Sequence, residues 1–199
     1  MRVPSALFLP GFHMCRLVAG LLPLIALSGT ASAQDMPLFT FALDGEGWRK
    51  VGEAADSPRP KPEPLSSPHP EVSDPTAVLV SRDGGTVYYG TRSGQHLWAF
   101  PVNKDGQPVS ASGAKYAPLR LHKGEKSLAV TSLLTDSDGR IYAGTPDGIQ
   151  VFDPTGRLSG VLLLPAKGSP EELRWDGSEL TVWIGGQKYA RKMNAKGIQ

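Results

Sequence analysis

The chain has 199 residues, 40% hydrophobic and 20% charged, with a formal net charge of +2 and one cysteine. That composition belongs to a globular protein and excludes a coiled coil, a wholly disordered chain and a disulfide-stapled scaffold. Lys and Arg are nowhere clustered densely enough to neutralise several phosphates together, so nucleic acid is excluded as a partner.

The first element is a leader. Residues 17–27 read LVAGLLPLIAL, follow the cation Arg16 and run into SGTASA before Gln34. This is the pattern of a secretory signal peptide over residues 1–33, cleaved after Ala33, and its apolar run is too short to span a bilayer. The protein is therefore expected to be secreted or periplasmic, with no membrane anchor in the mature chain. Met14 opens a complete leader of its own and is an alternative start. Cleavage removes Arg2, Arg16 and no carboxylate, which takes away the whole net charge of +2. It also removes Cys15, so disulfides, thiol catalysis and cysteine-bound zinc are excluded from the mature chain.

Residues 34–56 form an N-terminal segment in which Phe39, Phe41 and Leu43 recur two apart, predicting a strand within 36–48 that ends at Asp44-Gly45. Residues 57–75 follow with seven prolines in 19 residues. Proline lacks a donor N–H and keeps its predecessor out of helix, so this stretch is a linker or an extended strap.

From residue 76 to 199 a unit repeats three times. Asp83-Gly84, Asp138-Gly139 and Asp176-Gly177 each stand between two apolar runs, AVLV with TVYYG, SLLT with IYAG and LRW with LTVWI, and a third run follows at LWAF, IQVF and YARKM. Strand, hairpin, strand, short loop, strand describes a β-meander. Asp and Gly both tolerate the positive φ of a tight hairpin, which accounts for the Asp-Gly pairs without a calcium role. Further turns at Asp105-Gly106, Thr155-Gly156 and Lys196-Gly197 close the units, with outer strands expected around 116–121 and 158–164. The fold class is all-β, a partial β-propeller of about three four-stranded blades.

The segment GRIYAGTPDGIQVFDPTGRLSGVLLLP at 139–165 resembles the gluconolactonase, senescence-marker-protein (regucalcin) and luciferin-regenerating-enzyme family, through Asp147 to Pro154, Gly156-Arg157-Leu158 and Gly160. SRDGGTVYYGTRSGQHLWAFPVNKDGQ at 81–107 resembles the neighbouring blade, and the likeness extends over about 74–197. The resemblance implies a six-bladed propeller that hydrolyses sugar lactones or related esters, with a Ca²⁺ or other divalent cation at the mouth of its channel. A hard cation there would polarise the lactone carbonyl and acidify water. The ligands the resemblance implies are a Glu, an Asn and an Asp. Counted along the inner strands, the Asn position falls on Thr76 and the Asp position on Thr131, the Glu belongs to an earlier blade, and the matching point of the third blade is Glu171. Two threonines and one carboxylate make a poor cage for a hard cation, so the metal site is expected to be lost.

His69, His96 and His122 lack ligand spacing, and no G-x-S-x-G elbow supports a serine nucleophile. Three readings follow: a divalent-metal-dependent lactone hydrolase, a non-catalytic propeller module that binds a small sugar-like ligand or a protein, and a remnant of a longer lactonase. A homodimer would complete a six-bladed ring from two halves.

Overall fold

The computed structural model describes residues 40–53 and 66–198. The leader, the first residues of the N-terminal segment and most of the proline-rich stretch lie outside them. Twelve strands form three four-stranded antiparallel sheets, with no α-helix among the described residues. None of the described helical turns is long and apolar enough to cross a membrane.

Blade A consists of β2 (Pro75–Val80), β3 (Thr86–Thr91), β4 (His96–Pro101) and β5 (Ala114–Pro118) in that order. Blade B follows with β6 (Ser132–Thr135), β7 (Ile141–Thr145), β8 (Gly148–Phe152) and β9 (Leu158–Leu162). Blade C holds β10 (Glu172–Asp176), β11 (Glu179–Ile184) and β12 (Gln187–Lys192), and its fourth, outer strand is β1 (Arg49–Glu53). The inner strands β2, β6 and β10 lie side by side in that order.

The N-terminal segment thus differs from the sequence expectation. Phe41 and Leu43 are not in a strand; Ala42 makes only an isolated bridge to Met193. The strand is RKVGE, paired with β12 from Arg49↔Ala190 to Glu53↔Gln187. Lys196-Gly197 likewise is not the turn expected there. Gly197 bridges Asp136 in blade B and its N–H donates to the Gly177 carbonyl of blade C, so the C-terminal residues meet the first hairpins of these two blades while the N-terminal strand completes blade C. The outer strand of blade A ends at Pro118, earlier than expected, because the following residues cross to blade B.

The hairpins rest on a different residue from the one expected. No aspartate of the Asp-Gly pairs has a positive φ; glycine supplies it at Gly84, Gly106, Gly139, Gly156 and Gly177, and the sole non-glycine among the described residues is Asp74. What recurs is a five-residue turn, begun by an Asx residue three positions before the glycine. Asp136 Oδ1 accepts from the N–H of Asp138 and Arg140. Asn103 Oδ1 accepts from Asp105 and Gln107, and Asp153 Oδ1 from Thr155 and Arg157. In each the Asx carbonyl also accepts from the glycine N–H. A short carboxylate or amide satisfies donors that the hairpin leaves orphaned.

Packing follows the strand period of two. One face of blade A, with Ala77, Leu97 and Ala117, meets Ile141, Ala143 and Phe152 of blade B. The opposite face of blade B, with Tyr142, Ile149, Val151 and Leu162, meets Leu173, Leu180, Val182 and Ile184 of blade C. The outer face of blade A carries Val87, Tyr89, Trp98 and Phe100, and Val72 from the described end of the proline-rich stretch is fully buried against them. His69 stacks on Trp98 at 6.0 Å.

Candidate functional site

The cross-strand register settles which positions are equivalent. Ala77 faces Gly90, Ser132 faces Gly144 and Glu172 faces Trp183, so the preceding residues Thr76, Thr131 and Glu171 occupy one position in three blades. All three stand at the start of an inner strand, as the counting required.

Their side chains are engaged within the blade framework. Thr76 donates its hydroxyl to the Val130 carbonyl at 2.5 Å. Thr131 donates to the Pro170 carbonyl at 2.5 Å. Val130 and Pro170 each directly precede the equivalent residue of the next blade, so each threonine ties its own blade to its successor. Glycine on the second strand makes room for this contact. A Cβ on Gly90 would strike Val130, and one on Gly144 would lie 3.0 Å from the Pro170 Cβ as well as on the Ser132 hydroxyl. In blade C both devices are replaced. Glu171 turns back to accept from the Gly186 N–H at 3.3 Å, and Trp183 stands where the glycine was.

These residues do not fit a hard divalent cation. Such an ion collects several oxygens and compensating charge, whereas two of the three positions are neutral hydroxyls whose single proton is spent on a carbonyl. Among the described residues no group of three or more His, Cys, Asp or Glu is arranged to hold a metal ion. The three histidines sit apart in role. His69 lies on the outer face of blade A, His96 opens β4, and His122 Nε2 is 3.4 Å from Asp147 Oδ2 across the groove between blades A and B.

The aromatic residues divide between interfaces and faces. Tyr88 and Tyr116 lie 4.9 Å apart beside the interface of blades A and B, and burial pushes both phenols above their ordinary range. Tyr142 meets Trp175 edge-on at 5.3 Å between blades B and C. Trp183 is buried beneath Arg174 and Lys188, whose charges lie 4.8 Å and 5.0 Å from its ring.

One cleft of about 380 Å³ lies in the groove between blades A and B, lined by Arg120, His122, Asp147 and Gln150 among others; two more lie at the other end of the inner strands. A cleft of about 540 Å³ is lined by Arg82, Ser137, Gly177, Ser178, Lys196 and the neighbouring C-terminal residues, so the first hairpins of all three blades reach it. A second cleft of about 310 Å³ shares Arg82 and Ser137 and extends over Leu79, Tyr88, Ile141 and Pro154. Nothing local in the chain signals this arrangement, because the three turns come from separate repeats and only the fan brings them together.

No family model matches the chain, and no curated protein matches it by sequence. Solved structures do. A calcium-binding protein, regucalcin, from Agrobacterium tumefaciens superposes with a TM-score of 0.53 at 18% identity over 64% of this chain and 48% of its own. The luciferin-regenerating enzyme gives a TM-score of 0.53 at 12% identity over the same shares. A candidate gluconolactonase gives 0.50 at 18% identity over 63% of this chain and 40% of its own. The chain thus has the blade architecture of the gluconolactonase and regucalcin propellers and spans less than half the length of these structures.

Proposed function

We propose that this chain is an exported, non-catalytic propeller module of the gluconolactonase type, a binding scaffold without metal-dependent lactone hydrolysis. The observation that carries the reading is the pair of threonine hydroxyls donated to the Val130 and Pro170 carbonyls. At the positions where the resemblance implies metal ligands, the side chains hold one blade to the next. Export rests on the leader pattern of residues 1–33. Titration of the mature protein with Ca²⁺, Mn²⁺ or Zn²⁺ should give no saturable one-site heat in the micromolar range, and gluconolactone should hydrolyse at its uncatalysed rate with each ion present. A rate that rises with a divalent ion and falls on chelation overturns the reading.

The two outer faces favour a single chain over a dimer that closes a ring. On blade A the apolar face already has Val72 and His69 packed on it. On blade C the outward face, fixed by the register, presents Arg49, Glu172, Arg174, Glu179, Lys188 and Lys192 around Trp183. Glu172 pairs with Arg174 at 2.9 Å, and Arg49 pairs with Glu179. Repeat arrays end in blades with such polar outer faces, and Trp183 fills the space that Gly90 and Gly144 leave for a following blade. Light scattering on the exported protein should give the mass of one chain beginning at Gln34; a dimer mass sinks this reading.

A further inference from the structure

The two joined clefts have a chemistry that the lactonase resemblance does not use. The wider one is flanked by Arg82 of blade A and Lys196 of the C-terminal segment, and Arg82 also walls the narrower one. Among the described residues neither cation forms an ion pair. Three carboxylates near Arg82 and Ser137, those of Asp83, Asp136 and Asp138, are committed to their own turns. Asp83 accepts from the Ser81 hydroxyl at 2.6 Å and from the Gly85 N–H at 3.1 Å, and these bonds hold its carboxyl below the ordinary carboxylate range. Asp136 and Asp138 also line the narrower cleft, but Asp138 is paired with Arg140 at 2.8 Å and Asp136 is buried within the blade B turn, bonded to Arg140 and Tyr142. The narrower cleft has an apolar floor of Leu79, Tyr88, Ile141 and Pro154, in which Tyr88 is backed by Tyr116. Ser137, at the junction, and Ser178 add hydroxyls to the rim.

We propose that the joined clefts at the first-hairpin end of the three blades bind an amphiphilic carboxylic acid, its carboxylate between Arg82 and Lys196 and its planar or aliphatic body over the Leu79, Tyr88 and Ile141 floor. A guanidinium with free donors takes a carboxylate by two parallel bonds, and a neighbouring ammonium adds a point charge. An apolar body removed from water beside that pair supplies the rest of the affinity and selects against small inorganic anions. The site stands at the opposite end of the inner strands from Thr76 and Thr131, so it is independent of the fate of the metal.

The test uses the mature full-length protein and benzoate as probe, with acetate and benzyl alcohol as partial probes, titrated by NMR. Benzoate should bind at one saturable site and shift the amides of Arg82, Ser137 and Ser178, with acetate and benzyl alcohol each about tenfold weaker or more. Arg82→Gln should weaken benzoate by about tenfold, whereas Lys104→Gln, which removes the same charge from an exposed turn of blade A, should leave it unchanged. Arg82 is exposed on a turn, so circular dichroism of the variant should match the parent. Equal binding of benzoate and benzyl alcohol, or unchanged affinity in Arg82→Gln, overturns the proposal.

Discussion

Asp136→Ala should lower the unfolding free energy by about 3–5 kcal/mol, the cost of removing one partner of a buried ion pair. The Asp136 side chain is completely buried and carries four bonds at once. Oδ1 accepts from the N–H of Asp138 and Arg140 at 3.0 and 2.9 Å. Oδ2 accepts from Arg140 Nη1 at 2.9 Å and from the Tyr142 hydroxyl at 3.0 Å. Alanine leaves the Arg140 guanidinium, itself buried, without that carboxylate and leaves the phenol of a fully buried tyrosine unpaired. Burial holds the Tyr142 phenol far above its ordinary range, and the Asp136 charge adds to the effect, so the hydroxyl stays a donor across the accessible pH range.

Asp153→Ala is the matched control. It removes the same turn acceptor from the outer hairpin of blade B, where the neighbouring arginine, Arg157, is exposed instead of buried, and should cost only about 1–2 kcal/mol. Thr155 and Arg157 bond the Asp153 carboxylate and lower its affinity for a proton against the opposing effect of burial. A folded pKa below the unfolded one means that this contribution is present above the unfolded value and disappears as pH falls through the folded one. Urea unfolding at neutral pH followed by tryptophan fluorescence measures both variants. Equal losses for Asp136→Ala and Asp153→Ala would show that the buried pair adds nothing to the turn.

The contrast between these two aspartates also shows where the sequence was informative. Strands β2, β6, β8 and β11 were legible because they are short apolar runs bounded by glycine or a turn, which is a local signal. The residue that organises the turns was not, since attention falls on the Asp-Gly pair while the bonds are made from Asp136, Asn103 and Asp153. The spacing of an Asx residue three before glycine was available to be read. Equivalence of Thr76, Thr131 and Glu171 could be counted along the chain, and the register reproduces it. That the threonines grip Val130 and Pro170 could not be counted, because it depends on the neighbouring blade. Strand β1 was missed for another reason: RKVGE has a single apolar residue, Val51, and its partner lies at the far end of the chain. Outer strands have one unpaired edge and one solvated face, so they carry charge in place of the alternation that marks an inner strand.

That closure leads to the second large effect, Phe41→Ala, which should cost about 3–5 kcal/mol as a large aromatic deleted from a core. Phe41 is fully buried, packs edge-on against Tyr142 at 6.3 Å and lies under the Arg140 guanidinium at 6.0 Å. Its carbonyl accepts from the N–H of Asn194 and Ala195 at 3.0 and 3.3 Å. One residue therefore touches blade B through its ring and the C-terminal segment through its backbone, just before the chain enters β1. The ring is also what anchors the N-terminal segment, for β1 itself buries little: Val51 is 37% exposed, and Val51→Ala should change stability by less than about 0.5 kcal/mol. If the N-terminal segment and blade C form one cooperative unit, Phe41→Ala should raise hydrogen exchange at the β12 amides along with those of Asn194 and Ala195. An unchanged urea midpoint in Phe41→Ala, or faster exchange confined to residues 40–53, would mean that β1 is an appendage and that blade C stands on three strands alone.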